Sequence, residues 1–156
     1  TPLRQSLTSG SRERGYSFLN FTSAKPVLLI YGGSLGAQKL NVVTRAILPK
    51  LREQFQVVHI CGANKTDPQY DQTPDYRQFQ YVNEEFGDVI ACADLVVSRA
   101  GANTVYELIA LQKNHILIPL PKNASRGDQI ENAEYAREKG FSTVLNDEDL
   151  DTETLK

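Results

Sequence analysis

Short β-branched runs alternating with stretches of helical periodicity predict an α/β fold: a parallel sheet of about six strands with helices on both faces. Three observations carry that expectation. The apolar runs are strand-sized and rich in Val, Ile and Leu. The segments between them are long enough for crossover helices, which parallel neighbours require. A chain of 156 residues with 40% hydrophobic content suffices for one ordinary domain with a real core.

Residues 1–24 are polar and rich in Ser and Arg, with Gly10 and Gly15 breaking any regular pattern. They read as a connecting segment that enters a domain spanning residues 25–156. Val27–Tyr31 is the first strand candidate. Leu40, Val43, Ile47 and Leu51 then repeat at helical spacing, and Pro49 is expected to kink that helix or start a new turn. Further strands are expected at residues 57–61, 79–82, 95–97, 116–120 and 143–145. Residues 64–75, with Pro68 and Pro74, read as a loop. Val105, Leu108 and Ile109 give one helix its apolar stripe. Another helix is expected over residues 128–139, with Gly140 placed to end it. The chain opens at Thr1 without a signal-peptide pattern, and residues 151–156 read as the start of a helix cut short. An excised domain is the expectation.

Composition excludes several classes. Seventeen Lys and Arg against nineteen Asp and Glu give a net charge of −2, and the cations are scattered, which disfavours generic nucleic-acid binding. No apolar run approaches the roughly 20 residues of a membrane-spanning helix. Cys61 and Cys92 stand far apart in apolar surroundings with no CxxC or Cys/His cluster. That argues against both a zinc site and a disulfide framework, and suits a reducing compartment.

Ligands of such a sheet collect outside the carboxyl ends of the strands, where strand order reverses. The first loop there is Gly32-Gly33-Ser34-Leu35-Gly36-Ala37, leading into a helix. Backbone N–H groups and a helix N-terminus suit a phosphate, with Ser34 able to donate its hydroxyl; a tight turn without ligand fits equally. A dinucleotide fingerprint would need glycine at Tyr31 and an acid after the second strand, and no P-loop occurs, so nicotinamide binding and triphosphate hydrolysis are disfavoured. In the second loop, Ser98 to Glu107, a helix starting near Gly101 puts Asn103, Thr104 and Glu107 on one stripe. Its first turn can serve a diphosphate and Glu107 two vicinal hydroxyls, or these residues simply cap the helix. The third loop carries Asp128 and Gln129, equipped to read sugar hydroxyls, although Asp128 alone better suits a plain N-cap, and Lys122 and Arg126, which can help hold an anion or simply be solvated. His59 and His115 have no nucleophile or metal partners at useful spacing and read as structural.

Together the three loops resemble the C-terminal, donor-binding half of the MurG family, glycosyltransferase family 28. The residues that carry the resemblance run from Tyr31 to Ala37, from Ala93 to Glu107 and from Ser125 to Ala133, with Pro2-Leu3-Arg4 near the start. Asn103 stands where the best-known members have leucine, and Asp128 takes the first place of a Gln-Gln pair, a version similar to Gram-positive relatives.

The resemblance implies one Rossmann-like half of a two-domain GT-B glycosyltransferase that binds UDP-N-acetylglucosamine. It assigns Ser34, Ala102, Asn103 and Thr104 to the diphosphate, Glu107 to the ribose and Gln129 to the sugar hydroxyls, and it counts Gly33 and Asp128 in the donor site, the role of Asp128 left open. The backbone of Val82 is assigned to uracil, and Arg4 is matched to a donor-site arginine. The implied reaction is direct displacement with inversion, giving GlcNAc to a lipid-linked muramyl-pentapeptide in peptidoglycan synthesis. UDP-GlcNAc is then a substrate, and no cofactor or metal is expected. The catalytic base and the acceptor site belong to an N-terminal domain absent from this sequence, so this half is expected to bind donor without turnover. The setting implied is the inner face of the bacterial membrane, as a peripheral protein. A related lipid glycosyltransferase, a nucleotide-sugar epimerase and a non-catalytic nucleotide-binding module are the alternatives.

Overall fold

The computed structural model describes residues 10–21, 25–31, 37–62, 66–70, 73, 75–80, 82, 85–99, 107–111, 113–118, 131–132, 134–135, 138 and 143–144. Six strands form one parallel sheet: β1 (Val27–Tyr31), β2 (Gln56–Ile60), β3 (Tyr76–Phe79), β4 (Leu95–Ser98), β5 (His115–Leu117) and β6 (Thr143–Val144). Their order is β3-β2-β1-β4-β5-β6. β1 lies at the centre, pairing in parallel with β2 on one side and β4 on the other.

A strand buried on both faces cannot alternate apolar and polar residues, which is why β1 reads Val-Leu-Leu-Ile. Val27 and Leu29 enter one core cluster with Val58, Val96 and Leu117. Leu28 and Ile30 enter the other with Val57, Val97 and Ile118. The second face is covered by a long helix, α2 (Ala37–Gln54), which buries Leu40, Val43 and Leu48 against it. Two shorter helices, α1 (Arg12–Leu19) and α3 (Phe86–Cys92), cover the first face through Leu19, Phe86, Val89 and Ile90. Residues 107–110 are helical and send Leu108 into the same cluster.

Four expectations need correction. The segment 1–24 is not irregular throughout, because α1 lies within it and docks on α3. Ser11 caps its start by accepting the Arg14 N–H, and Asn20 ends it in a left-handed conformation at φ 56°. Gly15, taken as a breaker, is buried in the middle of that helix. The third strand is Tyr76–Phe79 rather than residues 79–82, since Tyr76 supplies the inward side chain that anchors it. Helix α2 runs on past Pro49 to Gln54, which overturns the new start there, one of the two expectations for Pro49, and leaves the kink untouched. Finally, α3 was not anticipated, although Phe86, Val89 and Ile90 sit at helical spacing and are buried.

Smaller differences are shifts of an end. β2 begins at Gln56, and β5 spans His115–Leu117. The loop over residues 64–75 contains a 3₁₀ turn at Pro68–Tyr70. In the expected helix over 128–139, residues 131–132, 134–135 and 138 are helical. Gly140 and the expected closing helix at 151–156 lie outside the described residues.

Candidate functional site

The strand order reverses at β1, whose chain neighbour β2 lies on one side and β4 on the other. At the carboxyl end of that junction Tyr31 pairs with Ser98, so β1 and β4 end side by side. This is the crevice where doubly wound sheets hold their ligands.

The edge of the crevice is fixed by buried polar groups. Ser98 Oγ donates to the carbonyl of Arg99 at 3.0 Å. Arg99 is only 4% exposed, and its Nη1 donates to the carbonyl of Ile118 at 3.2 Å, tying the carboxyl ends of β4 and β5 together. A guanidinium suits that task because it presents several donors in a rigid fork.

The first turns of α2 are held just as firmly. Asn41 Nδ2 donates to the carbonyl of Cys61 at 2.9 Å, at the end of β2, while its Oδ1 lies 2.7 Å from His59 Nε2. An amide oxygen only accepts, so Nε2 carries the proton, and Nδ1 then accepts from the Tyr76 hydroxyl at 2.8 Å. One neutral tautomer follows. Burial, with the charge of Arg45 nearby, pushes the His59 pKa down to about 3. Arg45 Nη2 approaches Cys61 Sγ at 3.4 Å, and its guanidinium lies 5.8 Å from the Tyr70 ring centre. The Cys61 thiol is pushed up by burial, and that of Cys92 to about 11 for the same reason. Both are held as thiols and are poor nucleophiles.

Of the site residues expected from sequence, Val82 and Glu107 are described. Val82 is half-buried against the cluster beneath α1 and α3. Glu107 is half-exposed on the helical segment whose Leu108 is buried in that cluster, so both residues border one apolar body. Arg4, Gly33, Ser34, Ala102, Asn103, Thr104, Asp128 and Gln129 lie outside the described residues. Sequence reasoning assigned no role to Asn41 or Arg99. The available signal was a polar side chain at a position the helical or strand pattern reserves for the core. Among the described residues no group of three His, Cys, Asp or Glu side chains could hold a metal ion.

Sheet order and a two-faced core define a Rossmann-like α/β domain whose strand order reverses at the β1/β4 junction. Residues 27–156 match the glycosyltransferase family 28 C-terminal domain, and the chain belongs to that family. It is 49% identical over 155 residues to the UDP-N-acetylglucosamine--N-acetylmuramyl-(pentapeptide) pyrophosphoryl-undecaprenol N-acetylglucosamine transferase of Lachnospira eligens, covering 99% of this chain and 44% of that protein. A relative of the same name from Legionella pneumophila is 48% identical, with 99% and 43% covered. Among solved structures, MurG of Acinetobacter baumannii gives a TM-score of 0.71 at 26% identity, over 93% of this chain and 42% of that one. The calicheamicin glycosyltransferase CalG4 shares the fold, with a TM-score of 0.64 at 19% identity over 86% of this chain and 34% of its own. The chain thus spans less than half the length of the relatives it matches.

Proposed function

We propose that this chain is the donor-binding half of an inverting N-acetylglucosaminyltransferase that passes GlcNAc from UDP-GlcNAc to a lipid-linked muramyl-pentapeptide. The observation that carries the reading is identity near one half, over 99% of the chain, to relatives named for that transfer. The family favours a transferase over an epimerase or a non-catalytic module.

In this reading the loop with Gly33 and Ser34 and the helix start at residues 102–104 hold the diphosphate. Glu107 accepts hydrogen bonds from the ribose, and Val82 pairs with uracil through its backbone. Asp128 and Gln129 read the sugar hydroxyls, and Arg4 completes the donor site. Helix N-termini and backbone N–H groups aimed at the departing UDP stabilise its developing charge, so the chemistry runs without a metal. The general base and the acceptor belong to the other half of the enzyme. No described helix is long and apolar enough to cross a membrane, and the proposed location is peripheral, on the inner face of the bacterial membrane.

Titration of the isotope-labelled chain with UDP-GlcNAc tests the reading. Amide shifts are expected at Ser34, Asn103 to Glu107 and Gln129, and a spectrum unmoved at those positions would overturn it.

A further inference from the structure

The described backbone hydrogen bonds from β2 to the segment after β3 run from Cys61 N–H to Phe79 and from Gly62 N–H to Gln80. Val82 lies just past them. It is packed, partly buried, against a cluster to which α1 gives Leu19, the turn after it Phe21, and α3 gives Phe86. Whatever holds α1 against α3 therefore holds the floor under Val82.

The described hydrogen bonds that join the start of α1 to α3 converge on one carboxylate. Asp88, in the first turn of α3, accepts the Ser11 N–H at 2.8 Å and Arg14 Nε at 3.1 Å on the same oxygen. The two bonds draw its pKa below the usual carboxylate value, the backbone bond contributing most. The helices then touch backbone to backbone, since a methyl on Gly10 or Gly15 would run into the carbonyls of Gly87 and Asp88. At the far end of α1, Arg77 in β3 donates from Nε to the Leu19 carbonyl at 2.8 Å and lies 4.9 Å from the Phe21 ring centre. Phe18 stacks on Phe79 at 5.5 Å. Helix α1 is thus clamped to the two elements, α3 and β3, that flank Val82.

We propose that Asp88 is a positioning residue for the nucleoside end of the donor site: by locking α1 to α3 it sets the corner that presents the Val82 backbone to the base. The inference rests on the donor-site reading above. It gives residues 10–21, which look in sequence like a mere connection, a part in base selection. A carboxylate is suited to this because one oxygen can accept from a helix-capping backbone N–H and a guanidinium together, which an amide oxygen does more weakly.

The test compares UDP with ADP, which share ribose, diphosphate and charge and differ in the base. In the unmodified chain, UDP is expected to shift the Val82 amide and to bind more tightly than ADP; a Val82 amide unmoved by UDP would overturn the donor-site reading itself. With that established, Asp88→Asn is expected to lower UDP affinity about fivefold while leaving ADP affinity within about twofold. Equal losses for both nucleotides, or none, would overturn the role of Asp88, because mere destabilisation does not distinguish bases. Should Asp88→Asn not fold, Arg77→Met loosens the other end of α1, and the same fall in the UDP-to-ADP ratio is expected; an unchanged ratio would again overturn the proposal.

Discussion

Where α2 covers the sheet, the contact includes a chain of buried polar side chains, Asn41, His59 and Tyr76, each satisfied by the next. Where α1 and α3 cover the opposite face, the cluster is apolar, and two glycines let the helix backbones meet. The two solutions control different things. A hydrogen-bonded network fixes rotation and register, because each donor has one acceptable partner direction. A glycine contact fixes separation and leaves orientation to caps and ion pairs. Helix α2 begins directly after the Gly-rich loop proposed to hold the diphosphate, and a polar key that fixes its rotation is the appropriate device there. Helix α1 is brought close by its glycine contact and is held in place there by Asp88 and Arg77.

The largest effect is expected from removing the polar key. Asn41→Leu keeps the volume but strands two buried groups, the Cys61 carbonyl and the His59 Nε2–H. At about 1–3 kcal/mol for each orphaned group, a loss near 4 kcal/mol is expected. Urea unfolding measures it, and a loss below about 1 kcal/mol would mean that the network relaxes or rehydrates without penalty.

That contrast between faces also separates what could be read in the sequence from what could not. The central strand was plain because burial on both sides produces an uninterrupted apolar run. His59 was correctly read as structural, yet its partners were invisible, for Asn41 and Tyr76 meet it only once β2, β3 and α2 have packed. Helix α1 escaped notice because propensity counts Gly15 as a breaker, whereas here the missing side chain is what admits α3. Strand β3 was misplaced since Arg77 and Gln78 interrupt its apolar pattern, their polar ends serving Leu19 and Asp67 instead of solvent. As for the donor loops, their glycines and hydroxyls were read from motif alone, and apart from Val82 and Glu107 the site residues lie outside the described structure.

A smaller loss is expected on the glycine face, with the sign opposite to the usual one. In an unpacked helix Gly→Ala is worth up to about 1 kcal/mol in favour of alanine. At Gly15 the added methyl meets the Asp88 carbonyl and lies 2.9 Å from Cys92 Sγ, and a backbone oxygen cannot swing aside as a side chain can. Gly15→Ala is therefore expected to destabilise by about 2 kcal/mol. A variant as stable as the parent in thermal unfolding would show that α1 can lift from α3 at little cost, and the comparison of faces would lose its second member.

Mild acid should act on the polar face through His59, and by the least. His59 titrates near 3 when folded and near the ordinary 6.5 when unfolded. Between those values the unfolded chain holds the extra proton, so stability is complete above 6.5, falls as pH drops, and levels off below about 3. The slope is about 1.4 kcal/mol per pH unit, which amounts to roughly 1.4 kcal/mol on going from about pH 7.5 to about pH 5.5. On the glycine face, Cys92 titrates near 11. The Ser11 N–H and Arg14 hold Asp88 below the ordinary carboxylate range, and its contribution is lost only as pH falls through that lower range. Urea midpoints across this window, compared with and without His59, isolate the share of the α2 face. His59→Gln should flatten the profile while leaving the acid limb of Asp88 in place. A slope that survives the substitution would move the proton uptake off His59 and remove the pH signature that distinguishes the polar face from the apolar one.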